Sequence, residues 1–230
     1  MGQTCGEPQT LVETLVADRQ RLKGLEVVSG ALWGGHKWAQ KGMEDFFRIT
    51  TFHVTTDTRA AVKAGKAHFV PVRFSEVPGF FAPDGPLPPD VAFIQVTPPH
   101  ADGVCSMGAS VGFTMAAALN AKTIIAEMND QMPWTHGAGM LHISQLHYIV
   151  ESSRPLMPYP LSKYGEEERK AAEYVAELVP DGATIEVGIG AISEAILSAL
   201  SNKRDLGFHA GMITDGVPDL MEQGVLTNAR

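Results

Sequence analysis

The sequence predicts an α/β fold built on open, largely parallel sheets. Short apolar runs rich in β-branched residues alternate with stretches of helical periodicity, which is the pattern of strand–helix–strand units. One such unit is complete between Thr184 and His209: a short apolar run, two closely spaced glycines, a helix and a second short run. A third sign is a turn rich in proline and glycine after an apolar run, Thr97 to Gly103, at the strand end where open α/β sheets receive ligands.

The elements follow in order. Pro8 suits the first turn of a helix, where no N–H partner is lost, and Leu11, Val12 and Leu15 form that helix's inner face. Leu25 to Leu32 reads as a strand running into the glycine loop Trp33 to His36. Arg48 to Val54, rich in β-branched residues, is a second strand. A short helix over Asp57 to Ala64 and a strand over His68 to Val72 follow. Pro78 to Pro89 carries several prolines and two glycines and is expected to be a surface loop. Val91 to Val96 is a buried strand. Met115 to Asn120 is a helix of small residues. Thr123 to Met128 is a strand, and Ile143 to Val150 leads into a last strand of this part. Ser152 to Pro160 holds three prolines in nine residues and reads as a linker. Glu166, Glu167 and Glu168 then open a helix whose start favours negative charge. In the helix after the glycines, Ile192, Ile196, Leu197 and Leu200 are expected on the buried face, and Gly216 to Gly224 is a final helix.

This organisation divides the chain into a first domain over 1–151, a linker over 152–164 and the start of a second domain over 165–230. A doubly wound domain of ordinary size needs roughly 100 residues or more, so the second part is expected to be only the beginning of its domain. The unfinished sheet would leave an edge, which favours a homo-oligomer or a partner subunit.

Composition narrows the function. A net charge of −8 disfavours nucleic acid as a partner. No uninterrupted apolar run is long enough to span a bilayer. The first fifteen residues lack a basic segment followed by an apolar block, so no secretory signal is expected and a cytoplasmic location is. Two cysteines, Cys5 and Cys105, make no disulfide framework. No His or Cys spacing suits a metal, and none is expected.

The candidate chemistry sits at strand ends. Glycines let backbone approach a ligand closely, and the N–H groups of a helix start favour anions; Gly188 and Gly190 therefore suit a phosphate or pyrophosphate, or simply a tight turn. Glu7 either lines a cleft or stabilises the helix start beside it. Asn129 either orients an acyl or carboxylate group or organises its own loop as an Asx-turn. His100 reads as a solvated loop histidine. Thr184 and Glu186 alternate with Ile185 and Val187, so Glu186 is the weakest carboxylate candidate.

Gly188 to Leu197 (GIGAISEAIL) and Asp205 to Asn228 (DLGFHAGMITDGVPDLMEQGVLTN) together resemble the acetyl-CoA hydrolase/transferase family, which includes the 4-hydroxybutyrate CoA-transferases. Gly6-Glu7-Pro8, the T-P-P-x-x-x-G run at Thr97 to Gly103 and the N-x-x-M-P run at Asn129 to Pro133 add to the likeness. The resemblance implies a CoA-transferase-like (NagB/RpiA-like) α/β domain, lacking its first elements, followed by the first part of a second similar domain. It implies coenzyme A or acyl-CoA as substrate and a small carboxylic acid as partner, with CoA binding at Gly188, Ile189, Gly190, Ala191 and Ile192. Asn129 and Pro133 become weaker substrate contacts. The family carries a catalytic glutamate in an H-S-E-M run. Here that run is His209-Ala210-Gly211-Met212, and Gly211 stands at the glutamate's position. The carboxylates left as candidates are Glu7 and Glu127. Three functions follow: CoA transfer or acyl-CoA hydrolysis by an assembly larger than this chain, a non-catalytic acyl-CoA-binding subunit, and a sugar-phosphate isomerase-like enzyme using the same glycine turn.

Overall fold

The structure is a computed structural model, and it describes residues 1–159 and 162–229. Two compact units make up the chain, Met1–Tyr159 and Pro160–Arg230.

The first unit holds two parallel three-stranded sheets. In one, β1 (Leu25–Ser29), β2 (Phe47–Thr51) and β3 (Ala67–Phe69) lie in sequence order, with Val27 opposite Ile49 and Ile49 opposite Ala67. In the other, β4 (Val91–Val96) pairs with β6 (Thr123–Asn129), and β6 with β8 (Tyr148–Ser152). Between these last three strands lie β5 (Val104–Ser106) and β7 (Met140–His142), which form a short antiparallel ribbon. The first residues of the chain bond to both sheets. The Gly2 N–H donates to the Phe93 carbonyl in β4 at 2.8 Å and the Met1 amino group to the Val28 carbonyl in β1 at 3.3 Å.

Helix α1 (Gln9–Ala17) buries Leu11, Val12 and Leu15, as its apolar spacing predicts. It packs into a core that includes Trp38, Phe47 and Ile49. Burial of a side chain of this size contributes about 1.5–3 kcal/mol. A second core gathers Ile94, Val96, Ile124 and Ala126 from β4 and β6 with Cys105, Met107 and Leu141 from the ribbon and its flank. Helix α2 (Thr56–Lys63) starts at Thr55, whose N–H donates to Thr58 Oγ1 at 3.0 Å. In α4 (Thr114–Asn120) the small Ala117 and Ala118 are buried along with Thr114, which lets the helix lie close on β4.

One expectation for this unit is corrected. The stretch from Pro78 is not wholly a surface loop, because α3 (Val77–Phe80) opens it. Proline is tolerated in a first helical turn, and burial of Val77 and Phe81 decides the matter. Phe52 sits edge-on to Phe80, Phe81 and Phe113 with centroids 5.7, 6.0 and 5.6 Å away, a geometry that aromatic quadrupoles favour. The main sheets are parallel, as expected, and the short β5–β7 ribbon is antiparallel.

The second unit begins with α5 (Glu166–Leu178), which packs against α6 (Ala191–Ala199). Strands β9 (Thr184–Ile185) and β10 (Gly207–Phe208) pair in parallel, and α7 (Gly216–Glu222) follows. Leu197, Leu200, Leu206, Val217, Leu220 and Val225 belong to its core. One expectation is corrected here too. Ile192 is 41% exposed, while Ser193, Leu197 and Leu200 are buried. Helix α6 turns the Ser193–Leu197–Leu200 face inward, which leaves Ile192 beside the open glycine turn.

Candidate functional site

In the second unit the pairing of β9 with β10 defines a site. Thr184 lies opposite Gly207 and Ile185 opposite Phe208. The His209 N–H donates to the Ile185 carbonyl at 3.1 Å and extends the pairing by one bond. Parallel neighbours leave a sheet at the same end. The segment from Val187 to Gly190 and the segment from His209 to Met212 therefore depart side by side.

The first of these segments ends on Gly190, the N-cap of α6, with φ 116° and ψ 178°. That conformation is strained for any residue with a Cβ. The first helical bond runs from the Glu194 N–H to the Gly190 carbonyl at 3.1 Å. The N–H groups of Ala191, Ile192 and Ser193 precede that bond and lie at the positive end of the helix dipole. Ile189 and Ile192, 49% and 41% exposed, flank these donors with apolar surface. The turn thus offers amides for an anion and an apolar rim for what the anion carries. Gly211, on the neighbouring segment, has room for a side chain: a Cβ there meets no atom within 4 Å, and its φ lies outside the left-handed region. Glu186 is exposed.

In the first unit, polar side chains converge at the carboxyl ends of β4 and β6. Gln95 Nε2 donates to the Glu7 carbonyl at 2.7 Å, and Asn129 Nδ2 donates to Gln95 Oε1 at 2.9 Å and to the Arg154 carbonyl at 2.8 Å. Asn129 Oδ1 accepts from the Gln131 and Arg154 N–H groups, each at 3.1 Å. The amide of Asn129 is thus occupied by protein on both sides, and the bond to Gln131 is the Asx-turn geometry. Pro133, at the end of that loop, is exposed.

Glu127 is buried and caps α1. It accepts from the Thr10 N–H and Thr10 Oγ1, both at 2.8 Å, and from the Leu11 N–H at 3.3 Å. Pro8, the local N-cap residue, has no side-chain cap to give, so a carboxylate 117 positions from Thr10 supplies it.

Glu7 is 1% exposed, and its Oε2 accepts from the Gly34 N–H at 3.1 Å. Burial pushes its carboxyl up to about 7, against the smaller opposing pull of the Gly34 amide and Lys37. Glu13 behaves in the opposite way. Hydrogen bonds from Arg154 and Lys37, both at 2.9 Å, hold its carboxyl at about 2. His100 stacks flat on Trp134, with ring centroids 3.5 Å apart and planes 6° from parallel. The Trp134 partner had no sequence signal beyond an aromatic residue in the loop after Asn129. Among the described residues no group of three or more His, Cys, Asp or Glu is arranged to hold a metal, and no helix is long and apolar enough to cross a membrane.

Parallel strand–helix units with polar groups or glycine turns at the carboxyl ends of their strands define an open α/β class of fold. Comparison with known proteins takes this further. The model of the acetyl-CoA hydrolase/transferase N-terminal domain matches residues 1–159. The chain is 43% identical over 225 residues to the 4-hydroxybutyrate coenzyme A transferase of Clostridium kluyveri, covering 98% of this chain and 52% of that protein. It is 42% identical over 190 residues to the succinyl-CoA:acetate/propanoyl-CoA:succinate CoA transferase of Fasciola hepatica, covering 81% of this chain and 39% of that protein. The crystal structure of RipA from Yersinia pestis superposes with a TM-score of 0.93 at 28% identity, over all of this chain and 56% of that one. The chain belongs to the acetyl-CoA hydrolase/transferase family. It spans about half the length of the curated relatives it matches.

Proposed function

We propose that this chain binds acyl-CoA at the turn formed by Gly188, Ile189, Gly190, Ala191 and Ile192, and serves CoA transfer between an acyl-CoA and a small carboxylic acid. The observation that carries the reading is the parallel exit of β9 and β10. It sets the anion-binding turn beside His209 to Met212, the run that holds the attacking glutamate in the family this chain resembles.

The chemistry requires a carboxylate. Its oxygen attacks the thioester carbonyl, the C–S bond breaks, and the CoA thiolate leaves an acyl anhydride on the enzyme. The thiolate then attacks the enzyme's side of that anhydride, which frees the first acid and leaves CoA on the enzyme as a thioester. A second acid reverses both steps. Covalent catalysis of this kind divides one high barrier into two lower ones. Gly211 has no nucleophile, Glu127 is engaged as a helix cap and Glu7 is enclosed. The carboxylate and the oxyanion donors therefore come from a further segment or a partner subunit, and this chain alone binds acyl-CoA without turning it over.

A second reading, a dedicated acyl-CoA-binding subunit, is favoured by Gly211 itself. A sugar-phosphate isomerase has no observation of its own in its favour. The test is a Gly211→Glu variant assayed for acyl exchange between acetyl-CoA and butyrate, alone and in the complete assembly. The open space at Gly211 accepts the side chain. Exchange by the assembly with Gly211 in place supports the transferase reading, and exchange gained only with the glutamate supports the binding subunit. An assembly that binds acetyl-CoA but exchanges nothing with or without the glutamate supports the binding subunit. Absence of acetyl-CoA binding in every form overturns both.

A further inference from the structure

Helix α5 has two apolar faces, and only one of them is buried. The buried face is small: Ala172 and Ala176 set the helix against α6. The other face is Ala171, Tyr174, Val175 and Leu178. Their i, i+3, i+4, i+7 spacing is the stripe a helix turns toward a core. All four are exposed, Tyr174 by 59% and Leu178 by 81%. Adjacent exposed apolar side chains of this kind mark a contact surface.

Three observations bear on what covers the stripe. In α/β folds a helix lies on a sheet. The strands of this unit, β9 and β10, have two residues each, about 7 Å of strand, against about 20 Å for a helix of 13 residues. The relatives carry nearly as much chain again as this one spans. The charges around the stripe argue against a second copy of this chain. Glu166 pairs with Arg169 at 3.2 Å and Glu168 accepts from the Gly165 N–H at 2.8 Å, while Glu167, exposed one turn before Ala171, has no partner among the described residues. Helix α5 has three glutamates in its first turn and no basic residue in its last. Two parallel copies would set glutamate against glutamate, and two antiparallel copies would set Glu167 against an end without a cation.

We propose that the stripe on α5 is the docking surface for a polypeptide equivalent to the part of the relatives that this chain does not cover, with an apolar face against Tyr174, Val175 and Leu178 and a cation opposite Glu167. This rests on the reading that the carboxylate and the oxyanion donors come from outside this chain. It adds the place of attachment, which is on the same unit as the glycine turn.

The test co-expresses the whole chain, affinity-tagged, with the portion of the Clostridium kluyveri 4-hydroxybutyrate coenzyme A transferase that follows the region matched here. The two are expected to co-purify as a stoichiometric complex. Leu178→Asp, and separately Tyr174→Ser, weaken it at least about tenfold. Glu173→Ala, on the far side of α5 by helical spacing, leaves it unchanged. Because Leu178 and Tyr174 are exposed, both variants keep the unfolding midpoint of the chain alone. The proposal is overturned if the added portion does not co-purify, or if both variants retain it as well as the wild type does. It is also overturned if Leu178→Asp lowers the midpoint of the chain alone, since the stripe would then be covered from within, or if the chain alone forms a dimer that Leu178→Asp dissolves, since the occupant would then be a second copy. Acetyl-CoA titration of the same proteins keeps the two readings apart. Acetyl-CoA bound without any complex sinks the docking surface alone, and a complex that binds no acetyl-CoA sinks the acyl-CoA reading alone.

Discussion

Replacement of Glu7 by glutamine should stabilise the protein, and more so as pH rises. The Glu7 carboxyl is enclosed, with the Gly34 N–H as a partner at 3.1 Å, and burial moves it from its ordinary 4.5 to about 7. Between those two values the folded chain holds a proton that the unfolded chain has released. Stability therefore falls as pH climbs from about 4.5 to about 7, and the full penalty persists above that. A difference of about 2.5 units at about 1.4 kcal/mol each amounts to about 3 kcal/mol. Glutamine is neutral at every pH and of the same shape, and its amide oxygen can still accept from Gly34. Urea denaturation of both proteins at several pH values measures the effect. The stability difference, Glu7→Gln minus wild type, should grow by about 3 kcal/mol between pH 4.5 and 8 and level off beyond. A difference that stays flat with pH would refute the reasoning. So would a variant that loses ground as pH rises, because Glu7 would then be an ionised, well-paired carboxylate.

Two further substitutions probe the same end of the first unit. Glu127→Ala strips the first turn of α1 of its cap and strands the Thr10 and Leu11 donors; a loss of about 3–5 kcal/mol is expected in urea denaturation, and a loss below 1 kcal/mol would deny the cap its role. Gly34→Ala places a Cβ in collision with Glu7 Oε2. It should cost about 1–3 kcal/mol and much less in a Glu7→Ala background, a coupling that a double-mutant cycle reads directly.

Much of this architecture is visible in the residues. Val91 to Val96 reads as a strand and is one, because five apolar residues, interrupted only by Gln95, lie between an aspartate and a threonine-proline turn. The acidic start of α5 and the glycine turn before α6 are equally plain. The antiparallel ribbon is not, since β5 and β7 have three residues each and pair across the 33 residues between Ser106 and Met140. No local periodicity marks strands so short. Glu127 had a signal of a different kind. Helix α1 follows a Gly-Glu-Pro turn with no Ser, Thr, Asp or Asn at its N-cap, so a capping group had to come from elsewhere. The sequence does not say from which strand. Asn129 shows the same limit: the loop is readable, but its bonds to Gln95 and to the chain after β8 depend on sheet order. The wrong face chosen for α6 has a simple cause. Ile192 belongs to the apolar pattern, yet it sits in the first turn, where the helix end is open.

The most direct test of the account is to titrate the isotopically labelled chain with acetyl-CoA and follow its backbone amides. The largest changes are expected at Ile189, Gly190, Ala191 and Ile192, with smaller ones at His209 to Met212, and Gly190→Val should weaken binding at least about tenfold, some 1.4 kcal/mol. Changes confined to the first unit, or unaltered affinity in Gly190→Val, would contradict it.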